Sequence, residues 1–155
     1  MIEVNHGDDI LRTFILLVQT ARPVLKYADV HLYRKACFSI VKLIVLRALA
    51  SNGGVMRPYE IADWTQPERH NITALINRMK QEGLIEAERD SSDKRYVNVT
   101  LMDKGREALS LVTPVAREVV DQVMSSISED NAVLLETLMI SSLYGRMVLP
   151  STPMP

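Results

Sequence analysis

Apolar residues recur with a helical period in the middle of the chain. Four of them have the spacing i, i+3, i+4 and i+7 and predict one buried stripe: Ile72, Leu75, Ile76 and Met79. Thr65 and Glu68 have the spacing of a capping box, and Pro67 suits a first helical turn. Gly83 follows the last periodic residue and can adopt the left-handed conformation that ends a helix. The sequence therefore predicts one helix between Thr65 and Gly83.

The period then changes to the alternation that is typical of strands. Leu84–Arg89 and Arg95–Leu101 are strand-like, and in the second of these segments apolar and polar residues alternate. The turn between them, Asp90-Ser91-Ser92-Asp93, consists of good turn formers. The helix is therefore expected to lead directly into a two-stranded hairpin. Three cations cluster at its tip, namely Arg89, Lys94 and Arg95.

The side of the predicted helix opposite the apolar stripe has an unusual composition. It carries short polar side chains, one methyl and few acids: His70, Asn71, Thr73, Ala74, Asn77 and Arg78. Asn pairs with adenine and Arg with guanine through two hydrogen bonds, and Ala or the Thr methyl can contact a thymine methyl. The residues thus favour a face that reads bases in a major groove. A plain solvent-exposed face is the alternative.

The hairpin tip has two readings as well. A thin hairpin with cations at its point can contact phosphates or place an arginine in a narrow minor groove. Asp93 is then expected to brace Arg89 or Arg95 through a charge-assisted hydrogen bond. The alternative is a solvated turn with weak surface ion pairs. The position directly after the helix favours the first reading.

The rest of the chain predicts further helices. We expect a helix over 8–28, bent or interrupted at Pro23, and a buried second helix over Val30–Ala50. A short strand at Val55–Met56 and a short helix at Tyr59–Trp64 precede the central helix. A long helix follows to about Ser126 with a kink at Pro114, and a last helix begins at Ser128 and ends near Val148.

This order predicts a mainly α fold with a small β-hairpin wing. Residues 1–155 form a single chain in which 30–102 make a winged helix-turn-helix lobe. The terminal helices, 8–28 and 104–148, are more apolar than one small lobe can cover. We therefore expect them to pair with a second copy in a homodimer. For the helix over 8–28, a simple core helix within its own chain is the alternative.

Composition and charge narrow the functional classes. The net charge of the 155 residues is −1, and residues 107–155 carry two basic against six acidic side chains, so attraction to an anion must be local. The three histidines are scattered and no ligand cluster or phosphate-binding glycine loop appears, so we expect neither an enzyme nor a cofactor or metal site. No signal peptide or bilayer-spanning segment is evident, which predicts a cytoplasmic protein without a membrane partner.

The chain resembles the MarR family of bacterial transcriptional regulators. The similarity lies in HNITALINRMKQEGLI, in the Arg89–Arg95 tip R-D-S-S-D-K-R, and in VNVTLMDKGREAL after it. The resemblance implies a homodimeric repressor on a pseudo-palindromic operator in double-stranded DNA, released by a small lipophilic or aromatic effector. It implies that Arg95 is the wing arginine and Asp93 its brace. The full set of expected DNA-contacting residues is Thr65, Arg69, His70, Asn71, Thr73, Ala74, Asn77, Arg78, Arg89, Asp93, Lys94 and Arg95.

Two positions depart from the family pattern. Oxidation-sensing members have their reactive cysteine in the first helix, whereas Cys37 lies in the predicted second helix within an apolar run. A buried thiol is usually inert, so we expect Cys37 to belong to the core. Lys94 stands where arginine is common, which keeps the charge but loses the planar guanidinium. A winged helix used as a protein-interaction module, without sequence-specific DNA binding, is the alternative function.

Overall fold

The computed structural model describes residues 6–65 and 71–125, together with Ser128 and Asp130. The chain divides into two compact units, Met1–Val120 and Asp121–Pro155, and the elements below are those of the described residues. In chain order they are α1 (His6–Ala36), α2 (Ile40–Ser51), β1 (Val55–Met56), α3 (Pro58–Thr65), α4 (Ile72–Gln81), β2 (Ile85–Arg89), β3 (Val97–Leu101) and α5 (Asp103–Met124). The last helix predicted from Ser128 to Val148 lies almost wholly outside the described residues.

The first two helices meet at a different point from the one predicted. Helix α1 continues through Pro23 without interruption and ends at Ala36, so the expected boundary near residue 29 is wrong. Asp29 explains the difference, because its Oδ1 accepts a hydrogen bond from the backbone N–H of Ile40, at 2.9 Å. Asp29 thus caps the next helix from within α1 instead of ending its own. Ser39 completes this cap by accepting from the N–H of Lys42 at 3.3 Å.

Cys37 does not belong to the core. It lies in the break between α1 and α2, is exposed, and adopts the left-handed conformation with φ 52°. The expectation of a buried thiol within a second helix was therefore wrong. The apolar run that suggested burial begins in fact one residue later, with Phe38 packed against the core.

A three-stranded antiparallel sheet covers one side of the helical lobe. The strand order is β1-β3-β2, and β2 pairs with β3 from Ile85 opposite Leu101 to Arg89 opposite Val97. Strand β1 pairs with β3 only at Thr100 and Val99. The sheet therefore has three strands at the base of the hairpin and only the two hairpin strands towards its tip.

One apolar core joins α2, α3, α4 and the sheet. Burial of this surface provides most of the driving force for the lobe to fold. Its fully buried side chains include residues from each of these elements: Val45, Leu46, Leu49, Ile61, Met79, Ile85 and Val99. A second cluster is formed by Leu32 of α1, Leu43 of α2, and Val112 and Ala116 of α5. It packs the end of α1 against α2 and α5.

Helix α4 begins later than the capping pattern suggested. Thr65 is the last residue of α3, and its hydroxyl donates a hydrogen bond to the carbonyl of Ile61 at 3.0 Å, so it is not the N-cap of α4. The described part of α4 begins at Ile72 after Asn71. Pro67 and Glu68 lie outside the described residues. At the other end the prediction is confirmed, since Gly83 has φ 74°.

The end of α4 has the hydrogen bonds of a Schellman motif. The N–H of Gly83 donates to the carbonyl of Lys80 at 2.9 Å, and that of Leu84 to the carbonyl of Met79 at 3.0 Å. The chain then enters β2 at Ile85. This short connection fixes the direction of the hairpin relative to α4.

Candidate nucleic-acid interface

The two sides of α4 differ sharply in exposure. Ile72, Ile76 and Met79 are buried and Leu75 packs against the same core, as the periodicity predicted. Five residues on the remaining surface are exposed, and we call them the outer face of α4: Asn71, Thr73, Ala74, Asn77 and Arg78. Arg69 and His70, which were expected to extend this face, lie outside the described residues.

The side chains of the outer face keep their hydrogen-bonding groups available. Asn71 occupies the N-cap position but makes no capping hydrogen bond with its side chain. Within the described part of the chain, the structure gives no hydrogen bond to the amide of Asn77 or the guanidinium of Arg78. Donors and acceptors with this freedom are what direct contact with base edges requires. Thr65 differs, because it lies half-buried at the end of α3 with its hydroxyl engaged.

The hairpin tip is organised by the carboxylate of Asp90, which the sequence predicts only as a turn former. Asp90 Oδ1 accepts from the backbone N–H and the hydroxyl of Ser92 at 2.8 and 2.5 Å, and from the N–H of Asp93 at 3.2 Å. Its Oδ2 accepts from the side-chain amide of Asn98 at 2.8 Å. These hydrogen bonds, those from Ser92 above all, hold the pKa of Asp90 well below its ordinary value. Residues 90–96 form what we call the wing loop.

Asp93 and Arg95 form the brace that the sequence reading expected. Arg95 donates to Asp93 through Nε at 3.0 Å and through Nη2 at 2.8 Å, and its backbone N–H donates to the same carboxylate at 3.1 Å. The pKa of Asp93 is lowered, mainly by the hydrogen bond from Arg95. The Arg95 side chain remains 84% exposed, so the guanidinium is oriented without being covered. Of the two arginines considered, Asp93 thus braces Arg95.

The remaining cations of the tip are exposed. Arg89 ends β2, and Lys94 lies within the wing loop beside Arg95. A further cation lies close by, because the guanidinium of Arg57 stands over the ring of Tyr96, 4.2 Å from its centroid. Arg57 lies between β1 and α3, 39 positions before Tyr96 in the chain.

Helix α4 and the hairpin are tied to each other and to α2. Lys80 of α4 donates to the carbonyl of Ala87 at 3.1 Å and pairs with the carboxylate of Glu86. Lys42 of α2 pairs with Glu82 just after α4, with both oxygens within 2.7 Å. Surface pairs of this kind contribute little stability singly. Together with the shared core, they link α4 to the base of the hairpin within one lobe.

Four residues of this arrangement were not singled out from the sequence, namely Asp90, Asn98, Arg57 and Tyr96. Asp90 carries a readable signal, because an aspartate two residues before a serine often closes an Asx turn. The contact between Arg57 and Tyr96 has no local signal, since it joins distant positions.

Other classes of site find no support in the described part of the chain. The residues with coordinates include no group of three His, Cys, Asp or Glu side chains suited to a metal ion. None of the helices described above combines the length and the apolar character that crossing a bilayer requires.

Comparison with known proteins agrees with this geometry. The model of the MarR family matches residues 38–95, from the start of the lobe to the wing arginine. YkoM of Bacillus subtilis strain 168, an uncharacterized HTH-type transcriptional regulator, is 32% identical over 129 residues, which cover 83% of this chain and 80% of the relative.

Two solved structures share the fold over almost the whole chain. Sco3205, a MarR family regulator from Streptomyces coelicolor solved in complex with DNA, has a TM-score of 0.76 at 22% identity and covers 98% of this chain and 97% of its own. The organohalide-sensing regulator RdhR-CbdbA1625, solved with 2,4-dichlorophenol, has a TM-score of 0.71 at 21% identity and covers 99% and 92%. The identity to YkoM and the family match show that this chain belongs to the MarR family of transcriptional regulators.

Proposed function

We propose that the protein is a homodimeric, ligand-responsive repressor that binds a pseudo-palindromic operator in double-stranded DNA. The observation that carries the proposal is the combination, on one lobe, of an exposed helix face with free polar groups and a wing arginine held by its own carboxylate. The outer face of α4 enters the major groove, and the wing loop reaches the adjacent minor groove. Such a function places the protein in the cytoplasm, where bacterial DNA lies.

The proposed contact of each residue follows from the chemistry of its side chain. Asn71 and Asn77 read base edges, while Thr73 and Ala74 contact thymine methyls and allow close approach of the helix. Arg78 reads a guanine or contacts the backbone. Arg95, with Lys94 and Arg89 near it, supplies sequence-independent affinity through phosphates and the minor groove. Arg69, His70 and Thr65 complete the proposed set of DNA-contacting residues.

Dimerisation is proposed from the apolar surface of α1. Large hydrophobic side chains along this helix are exposed in the single chain, among them Leu11 at 57%, Leu16 at 51% and Leu25 at 52%. Exposed apolar side chains of this size are typical of a surface that a partner covers. A second copy that covers it also doubles the DNA-binding lobes and sets two half-sites about one helical turn apart. Light scattering at micromolar concentration should give the mass of a dimer, and a monomer would contradict this part of the proposal.

The effector is proposed to be small and lipophilic or aromatic. RdhR-CbdbA1625 was solved with a chlorinated phenol bound, which makes this class the first to test. In the present chain a shallow, mainly apolar depression of about 390 Å³ lies between α2 and α5 and is the surface proposed for such a compound. Thermal-shift screening with phenols and aromatic acids should find a stabilising compound. That compound should also release DNA; no response across the series would leave the repressor without an effector of this class.

Salt dependence tests DNA binding itself. Release of counterions from a bound duplex makes the logarithm of the affinity fall linearly with the logarithm of salt concentration, with a slope of about −0.9 for each phosphate contacted. Fluorescence anisotropy with a duplex pool of random sequence should show such a fall. A flat dependence, or absence of binding at low salt, would refute the proposal.

The alternative function is a winged helix that binds another protein. Two aromatic side chains of α3 favour it, because Tyr59 is 58% and Trp64 is 54% exposed, and aromatic residues are enriched at protein interfaces. Duplex binding with the salt slope above, unchanged in a variant with Tyr59→Ser and Trp64→Gln, excludes this reading. Loss of a protein partner in that variant, without duplex binding by the parent, establishes it.

A further inference from the structure

The stack between Arg57 and Tyr96 joins two parts of the lobe that are distant in sequence. The Arg57 guanidinium lies 4.2 Å from the centroid of the Tyr96 ring. Tyr96 is 41% exposed and Arg57 half-buried, so the contact lies at the surface and the ring has one face towards the cation. It connects the segment before α3, where the helix-turn-helix begins, with the wing loop at the tip of the hairpin.

The backbone of Arg57 is held firmly on the body of the lobe. It directly follows Met56, which pairs with Val99 of the sheet. Its N–H donates to the carboxylate of Glu60 at 2.6 Å, which is half of a capping box at the start of α3. The guanidinium therefore extends from a fixed point towards the wing loop.

Tyr96 occupies the position that closes the wing loop. Its carbonyl accepts from the N–H of Asp90 at 2.9 Å, and its own N–H donates to the carbonyl of Asp93 at 3.0 Å. Asp93 in turn holds the guanidinium of Arg95. A displacement of Tyr96 is therefore transmitted through Asp93 to the wing arginine.

The stack supports the hairpin where the sheet no longer does. Strand β1 pairs with β3 only at Thr100 and Val99, and the hairpin beyond them has two strands. An isolated two-stranded hairpin is marginally stable in water. Arg57 contacts the loop beyond the end of β1 and so replaces, at the tip, the support that β1 gives at the base.

We infer that Arg57 is a positioning residue for DNA binding, which acts through the ring of Tyr96 to hold the wing loop and its Arg95 at a fixed angle to α4. The inference rests on the proposed DNA-binding function. In this role Arg57 orders the wing before the duplex arrives, instead of contacting a phosphate itself. Two experiments separate the inference from the function on which it rests.

The first experiment needs no DNA. Amide hydrogen exchange is measured by NMR at Asp90 and Tyr96, whose N–H groups close the wing loop. Arg57→Gln and Tyr96→Leu should each speed exchange at these amides by about two- to fivefold, because this factor corresponds to the loss of a surface cation–π contact. Tyr96→Phe keeps the ring and should match the parent, as should Arg117→Gln on the exposed surface of α5. Unchanged exchange in Arg57→Gln would overturn the inference.

The second experiment uses a fluorescent duplex of about 30 base pairs selected by the parent protein from a random pool, long enough for two half-sites and their flanks. Arg57→Gln and Tyr96→Leu should each weaken binding by about two- to fivefold, and the double variant no more than either single one. Tyr96→Phe should bind as the parent does. The salt slope should remain that of the parent in all variants.

Additive losses in the double variant, together with a salt slope reduced by about one in Arg57→Gln, would instead identify Arg57 as a direct phosphate contact and overturn the positioning role. If the parent binds no duplex, the proposed function fails and the role of Arg57 in DNA binding fails with it. Faster exchange in Arg57→Gln would then still establish the contact as the anchor of the loop.

Discussion

The outer face of α4 and the wing loop, the two surfaces proposed to contact DNA, differ in how their polar side chains are held. The amide of Asn77 and the guanidinium of Arg78 are exposed and make no hydrogen bond to another residue of the described chain. In the wing loop nearly the reverse holds, because Asp90 accepts four hydrogen bonds and Arg95 is held by Asp93. The outer face of α4 thus leaves its polar groups without partners in the described chain, whereas the wing loop holds its polar groups by hydrogen bonds within the hairpin.

The difference agrees with the contacts proposed for each surface. Base edges present donors and acceptors in fixed patterns, so a helix that reads them needs side chains with unused hydrogen bonds on a rigid backbone. Helix α4 obtains this rigidity from its buried stripe. A loop has no such support and gains by ordering its arginine before binding, since ordering at the moment of contact reduces affinity. Specificity is thus expected from α4, and general affinity from the wing.

The largest effect is expected where the rigidity of α4 is removed. Met79→Ala deletes a fully buried side chain of the shared core and should lower the free energy of unfolding by ~2–5 kcal/mol. Arg78→Ala, the exposed neighbour, should change stability by less than about 0.5 kcal/mol while weakening duplex binding. Urea unfolding followed by circular dichroism measures the free energy of unfolding of both variants. Equal stability losses in the two variants would mean that the two sides of α4 are not separated as described.

The next effect concerns sequence preference. Asn71→Ala and Asn77→Ala should each lower discrimination at particular base pairs by ~1–3 kcal/mol, if the lost contact is a pair of hydrogen bonds to adenine. Gel-shift assays with single base-pair substitutions measure this loss position by position. Gln81→Ala, exposed at the far end of the same helix, is the matched control and should keep the parent's preference. Asparagine variants with unaltered preference would remove α4 from base readout.

A smaller and uniform effect is expected in the wing. Arg95→Ala should weaken binding to all duplexes alike, by roughly tenfold or ~1.4 kcal/mol, and reduce the salt slope by about one. Arg117→Ala removes an exposed arginine of α5 and serves as the control for net charge. Anisotropy titrations at several salt concentrations give both quantities. A loss confined to certain sequences would assign Arg95 to base readout and break the division between the two surfaces.

The smallest effect is the acid response of the wing loop. Asp90 and Asp93 have pKa values below the ordinary 3.8, mainly because Ser92 and Arg95, respectively, donate hydrogen bonds to the ionised carboxylates. The stability they contribute is therefore complete above pH 3.8 and is lost as the pH falls from there through the lowered pKa values. Carbon NMR titration should find both carboxyls still ionised at pH 3.8. Half-protonation there would show that the loop is not organised by these side chains.

The sequence could predict the parts of this site whose cause is local. The stripe from Ile72 to Met79, the left-handed Gly83 and the brace between Asp93 and Arg95 depend on residues a few positions apart, and all are confirmed. Periodicity, glycine and a close pair of opposite charges carry their own signals.

The errors at Thr65 and Cys37 are local, whereas the position of Asp29 and the Arg57–Tyr96 stack depend on contacts between residues distant in sequence. The boundary predicted between residues 28 and 30 is wrong, because Asp29 lies within α1 and caps α2 across 11 positions. Thr65 looked like the start of α4, although its hydroxyl bonds back to Ile61 within α3. Cys37 was expected within a buried apolar run of the second helix, but it is exposed in the break between α1 and α2. The Arg57–Tyr96 stack depends on the sheet, which brings β1 beside β3. Such contacts exist only once the chain has folded.

The central claim is that α4 and the wing loop together bind a double helix in a sequence-dependent way. Selection of bound sequences from a random duplex pool tests it most directly. We expect enrichment of a pseudo-palindrome whose half-sites are centred about one helical turn, 10–10.5 base pairs, apart. A pool that stays random after repeated selection, with no duplex retained at low salt, would contradict it.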